Sequence, residues 1–197
     1  MGNNLDMLKF RPAGKSECLK IAELFSIASD GVADYIWTKY SEPEENIIDF
    51  GARRYESEDS VFSYRNCTVA EVDGEVAGIL VAFSMYESGE VESDVDPVLA
   101  PYMKLEQPNS YYICAMALFP EYRGKGIGTR LLEIAEEQAK DNNLIQLSLI
   151  VFEQNEGAKK LYERHGYYEI KREPVVPHEL IHHTGDALLM VKNLSLD

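Results

Sequence analysis

Apolar and polar positions recur along this chain with two periods, near two and near 3.6, and the switches between them outline an α/β protein. Leu8-Lys9-Phe10-Arg11-Pro12 reads as a first strand, and Ser16 is placed to cap a helix whose apolar faces are Leu19, Ile21, Ala22, Leu24 and Phe25. Ser41-Glu42-Pro43-Glu44-Glu45 opens a second helix reaching Tyr55. Residues 62–72 and 75–83 form a hairpin around Asp73-Gly74, a strong turn pair. Residues 87–96 are acidic and poor in apolar side chains, and 98–105 suit a short helix. Then come a strand at 111–118, a helix at 127–140 and a buried strand at 144–151. A helix opens at Asn155, with Ala158, Leu161, Tyr162 and His165 at helical spacing before Gly166. Tyr167 and Tyr168 begin another strand, and 187–192 supply the last. With no internal repeat and no long linker, residues 1–197 read as a single domain.

The stretch between the 111–118 strand and the 127–140 helix carries the most chemistry. Gly124, Gly126 and Gly128 stand at alternate positions as the helix begins, leaving its first amides unobstructed by side chains. Those amides lack helical partners and lie at the positive end of the helix dipole. Such a turn suits a phosphate or diphosphate, with Arg123, Lys125 and Arg130 adding positive charge. It is not a Walker A loop, because Gly128 is followed by Thr129 and Arg130 rather than by Lys and a hydroxyl residue. Nor is it the dinucleotide fingerprint, which wants glycine where Thr129 stands. A tight strand-to-helix turn without a ligand is the plain alternative.

Two linked segments resemble the GCN5-related N-acetyltransferase (GNAT) superfamily. Arg123-Gly124-Lys125-Gly126-Ile127-Gly128 is similar to that family's [Q/R]-x-x-G-x-[G/A] loop. Asn155 through Ala158, Leu161-Tyr162 and Gly166-Tyr167 are similar to its N-x-x-A-x-x-L-Y-x-x-x-G-[F/Y] signature. The resemblance is strong over residues 110–170, while the first hundred residues fit the topology without a distinctive motif. It implies a mixed, twisted and splayed β-sheet, flanked by helices on both faces and opening where the 111–118 and 144–151 strands part. It further implies acetyl-CoA as co-substrate. The diphosphate would be held by Arg123, Gly124, Lys125, Gly126, Ile127, Gly128 and Thr129, and the pantetheine arm by Ala117, Leu118 and Asn155. Tyr162 would contact the arm and donate a proton to the departing sulfur. Asn155 can also cap its helix, and Tyr162 can also simply pack.

The implied reaction is direct acetyl transfer to an amine in a ternary complex. A non-catalytic acyl-CoA sensor or interaction module is the main alternative. Histone-type members carry a glutamate five residues before the position of Ala117, and here that residue is Tyr112. Glu71, Glu153 or a water chain are substitutes for the missing base, and Cys114 raises the option of a covalent intermediate, against which a buried, inert thiol is preferred. Tyr35, Trp37, Tyr40 and Tyr64, with Glu42, Glu44 or Glu45, offer either an acceptor pocket or ordinary packing.

Composition narrows partners. Thirty-four acidic against nineteen basic residues give a formal net charge of −15, which argues against nucleic acid and favours approach of a cationic amine, whether small molecule or peptide. No apolar run is long enough for a bilayer span, and Met1-Gly2-Asn3-Asn4-Leu5-Asp6 matches neither a signal peptide nor a myristoylation site. Cys18, Cys67 and Cys114 lack metal-ligand spacing, so a reducing cytoplasm is expected, with the protein a monomer or homodimer. His178-Glu179-Leu180-Ile181-His182 matches H-E-x-x-H, and Gly185 extends it. The third ligand of the longer zinc pattern falls at Leu188, so a zinc hydrolase is a distant third reading and no metal is expected.

Overall fold

The computed structural model describes residues 7–87 and 95–195, so the first six residues and most of the 87–96 acidic stretch lie outside it. Seven strands, β1 to β7, form one mixed sheet in the order β1-β2-β3-β4-β5-β7-β6. β4 and β5 pair in parallel, and β1/β2, β2/β3, β5/β7 and β6/β7 are antiparallel. The chain divides into two compact units, 7–82 with 115–131, and 83–114 with 132–195.

The first unit holds β1 (Lys9–Pro12), α1 (Cys18–Ser29), α2 (Val32–Tyr40), α3 (Ile47–Tyr55), β2 (Cys67–Val72) and most of β3 (Glu75–Met85). Ile21, Leu24, Tyr55, Ile79 and Leu80 are fully buried in it. Asp73 and Gly74 both take positive φ, as the tight hairpin requires. Three starts differ from the sequence pattern. Ser16 lies inside a short 3-10 turn, Lys15–Glu17, because the Glu17 carboxylate, not a serine hydroxyl, accepts the Gly14 amide at 2.7 Å. The helix expected from Ser41 starts only at Ile47, where Asn46 Oδ1 accepts the Ile48 amide at 2.9 Å; Pro43 biases its predecessor away from helix. The first hairpin strand starts at Cys67, since Tyr64–Asn66 form a 3-10 turn capped by Ser63.

The second unit holds α4 (Ala100–Lys104), β5 (Gln146–Phe152), α6 (Glu156–Arg164), β6 (Tyr168–Pro174), β7 (Asp186–Asn193) and the first half of β4 (Ser110–Leu118). It also takes most of α5 (Ile127–Asp141). Its core includes Leu105, Leu132, Leu147, Leu149 and Leu188. The β4–β5 ladder pairs Tyr111↔Leu147, Tyr112↔Ser148 and Ile113↔Leu149. At its start the buried Ser148 and Ser110 hydroxyls lie 2.6 Å apart, and Ser110 donates to Gln107 O at 2.7 Å. Ser148 is therefore the donor within the pair.

Candidate functional site

In the first unit, β4 ends at Leu118 and the chain passes through a 3-10 turn, Pro120–Tyr122, into the glycine-rich turn and α5. Gly124 and Gly126 adopt φ of 71° and 82°, a left-handed region that costs an L-residue roughly 1–2 kcal/mol. Nothing lies within 4 Å of where either would carry a Cβ, so both are there for backbone conformation and leave open space. The bond from the Arg130 amide to Gly126 O, 3.2 Å, starts the helical ladder, so the ladder leaves the Ile127 and Gly128 amides without acceptors. Ile127, 1% exposed, anchors this end. Lys125 Nζ lies 5.5 Å from the Tyr122 ring centre, and Arg123 Nε donates to Leu118 O at 3.0 Å. Thus Ala117, Leu118 and residues 123–129, which the sequence singled out, form one continuous strand-turn-helix corner.

Gly78, which the sequence pattern did not single out, shapes that corner. A Cβ there would sit 2.1 Å from Leu118 Cδ2 and 2.6 Å from Ala117 O. The glycine lets β3 pass under the end of β4, and a glycine interrupting an apolar strand is the signal that points to such close approach. The backbone near Leu118 is largely engaged: the Phe119 amide donates to Ala77 O at 3.0 Å, and Leu118 O is taken by Arg123.

In the second unit, Asn155 and Tyr162 belong to α6. Asn155 Oδ1 accepts the Ala158 amide at 3.2 Å, so the residue caps its helix. Tyr162 is 8% exposed, its ring centre 5.8 Å from that of Tyr167, and burial pushes its hydroxyl up to about 12. The helix ends with Gly166 at positive φ and a bond from the Tyr167 amide to Tyr162 O at 3.0 Å, which holds the turn carrying Tyr162.

The groups weighed as bases fare differently. Glu71 accepts from Arg11 Nε at 2.7 Å, while the same guanidinium holds Glu17 with two bonds, so Glu71 is committed to a structural ion pair. Glu153 is largely exposed and pairs with Arg172 at 3.3 Å. Tyr112 sits edge-on to Phe83, ring centres 5.7 Å apart, and burial raises its hydroxyl well above the ordinary value, which makes it a donor and not a base. Cys114 is half-buried. Trp37 is core: it is 2% exposed and packs on Phe25, and a Cβ at Gly51 would meet its ring at 2.7 Å. Tyr40 is 61% exposed beside Lys39, and the Tyr64 hydroxyl donates to Glu58 at 2.8 Å.

Residues 178–182 do not form a helix. The Leu180 amide donates to His178 Nδ1 at 3.2 Å and the Ile181 amide to His178 O at 3.0 Å, a local turn that removes the helical face the zinc pattern needs. Among the described residues no group of three or more His, Cys, Asp or Glu side chains is placed to hold a metal. No helix among them is long and apolar enough to cross a membrane.

The family model for acetyltransferases of the GNAT family matches residues 29–167. Over 79 residues the chain is 34% identical to "Uncharacterized N-acetyltransferase YycN" of Bacillus subtilis, covering 40% of this chain and 51% of that protein. Over 119 residues it is 31% identical to N-alpha-acetyltransferase 40 of Saccharomyces cerevisiae, covering 54% and 39%. The chain thus spans 51% of the length of the first of these curated relatives and 39% of the second. A GNAT family acetyltransferase from Elizabethkingia anophelis, solved with acetyl-CoA bound, superposes with a TM-score of 0.57 at 16% identity, covering 96% of this chain and 99% of that one.

Proposed function

Because this chain belongs to the acetyltransferase (GNAT) family, we propose that it moves the acetyl group of acetyl-CoA directly onto an amine acceptor while both are bound, as a single catalytic domain. The observation that carries this reading is the turn in which left-handed Gly124 and Gly126 bare the Ile127 and Gly128 amides at the head of α5. Open space at both glycines and an unopposed helix end fit a diphosphate. When bound, acetyl-CoA supplies a thioester carbonyl open to attack by an amine.

Residues 123–129 would hold the diphosphate, with Lys125 adding charge. Ala117 and Leu118 would border the pantetheine arm, and Asn155 would reach it only with whatever capacity its cap leaves. Tyr162 would serve the sulfur. At about 12 its hydroxyl is a far weaker acid than a thiol near 8.5, a gap worth about 5 kcal/mol, so it acts as a hydrogen-bond donor that keeps its proton. No side chain need act as a strong base if the acceptor arrives as its minor neutral form. The likeness to a protein named N-alpha-acetyltransferase 40 supports counting peptide amines with small amines as acceptors. The free thiols Cys18, Cys67 and Cys114 fit a cytoplasmic setting.

Calorimetry with CoA and acetyl-CoA, followed by thiol release against a panel of primary amines, tests the proposal. Micromolar binding with amine-dependent release is expected. Binding without turnover for any amine would favour a sensor, and no binding by folded protein would remove the reading.

A further inference from the structure

We propose that Tyr167 is a positioning residue for Tyr162: the C-terminal cap of α6 folds its ring against that of Tyr162 and so fixes where the Tyr162 hydroxyl is presented. The inference rests on the role given to Tyr162 in the acetyl-transfer reading above, and every group in it belongs to the second unit.

The cap has the form of a Schellman motif. The Tyr167 amide donates to Tyr162 O at 3.0 Å and the Gly166 amide to Glu163 O at 3.1 Å, the two bonds that define it. The His165 amide shares Tyr162 O at 2.9 Å, so the backbone of Tyr162 accepts twice. This pattern needs a left-handed residue just past the helix, and Gly166 supplies it with a φ of 85°. Reversal of the chain there brings Tyr167 back beside the last turn. Its ring centre lies 5.8 Å from that of Tyr162 at an interplanar angle of 58°, within the range of favourable aromatic pairs.

The backing ring is itself held. Tyr167 is 2% exposed, and the next residue, Tyr168, starts β6 opposite Val191 of β7. Lys192 Cε lies 3.8 Å from where a Gly166 side chain would begin, and its Nζ donates to Glu136 of α5 at 2.5 Å. The ring of Tyr167 does the positioning, not its hydroxyl. Among the described residues that hydroxyl is buried without a hydrogen-bond partner. Burial, with the Glu136 carboxylate adding to it, holds it far above the ordinary tyrosine value, so it stays neutral and passes no proton to Tyr162. A donor to a departing sulfur loses rate steeply with small displacements, which is why a fixed ring behind Tyr162 matters to turnover.

The full-length protein with Tyr167→Phe, Tyr167→Leu or Gly166→Ala, the last two also combined with Tyr162→Phe, tests the assignment. Tyr167→Leu and Gly166→Ala should each lower kcat about three- to tenfold, with CoA affinity by calorimetry within about twofold. Tyr167→Phe keeps the ring and should keep wild-type kcat. Added to Tyr162→Phe, the same two changes should lower kcat by less than about 1.5-fold, because the hydroxyl they position is already gone. Gly166→Ala retains both rings and acts through the backbone, so it carries the test if Tyr167→Leu fails to fold. In ligand-free protein with labelled tyrosines, Gly166→Ala should also shift the Tyr162 ring resonances in NMR spectra. Equal losses with and without the Tyr162 hydroxyl, or full activity in both single variants, overturn the assignment and leave acetyl transfer standing. A Tyr162→Phe enzyme as fast as wild type overturns it together with the role of Tyr162, and folded wild type that binds no CoA overturns the whole reading.

Discussion

At the scale of single residues, environment sets what each candidate group can do. Tyr162 and Tyr112 are both tyrosines whose hydroxyls burial holds in the neutral form. Each can donate a hydrogen bond near neutral pH, and neither can take up a proton. Replacing Tyr162 with Phe should lower kcat about ten- to a hundredfold while CoA affinity stays within about threefold, measured by thiol release and calorimetry. Because its hydroxyl titrates at about 12, wild-type kcat should show no loss attributable to Tyr162 between pH 6 and about 10. Both tyrosines stand out in the sequence, Tyr162 by its motif and Tyr112 by replacing an expected glutamate. The fate of Glu71 does not, because Arg11, sixty residues away in the chain, claims it.

At the scale of elements, two glycines in the same corner act for opposite reasons. Gly126 is needed for a left-handed turn in open space, whereas Gly78 is needed because β4 crowds it. Gly126→Ala should weaken CoA binding about tenfold by opposing the turn, while Gly157→Ala, in the first turn of α6 with open space around it, should leave binding unchanged and raise stability by about 0.5 kcal/mol. Gly78→Ala should cost about 1–3 kcal/mol in chemical denaturation, since a Cβ would meet a backbone oxygen that cannot swing away. The strands were expected from the sequence, although β6 (Tyr168–Pro174) is largely exposed and shows little apolar pattern. Two helix starts slipped: at Cys18 a 3-10 turn precedes the helix, and at Ile47 a different cap was used. Glu17 closes the 3-10 turn that takes up Ser16 by accepting the Gly14 amide, and Asn46 outcompeted Ser41.

At the scale of the whole molecule, buried tyrosines set its alkaline limit. Tyr102, Tyr111 and Tyr162 each titrate at about 12 in the fold, against about 10 in an unfolded chain. Above pH 10 the unfolded chain loses these protons first, so stability is fully present below pH 10 and is lost as pH climbs through 12. Each contributes up to about 3 kcal/mol by this linkage, and urea midpoints should fall steeply between pH 10 and 12. Tyr102→Phe should soften that fall and cost little at pH 7, because the Tyr102 hydroxyl is buried without a hydrogen-bond partner.

Periodicity and glycine spacing are local properties of the chain, so the α/β class, the order of the strands and the glycine turn with its helix were legible in it, while α2 (Val32–Tyr40) was not. Tertiary structure alone decided which groups remain available. It tied Glu71 to Arg11, buried Trp37 and folded 178–182 into a turn. Those outcomes depend on partners far apart along the chain, and a charge or ring is claimed only by what packing brings beside it.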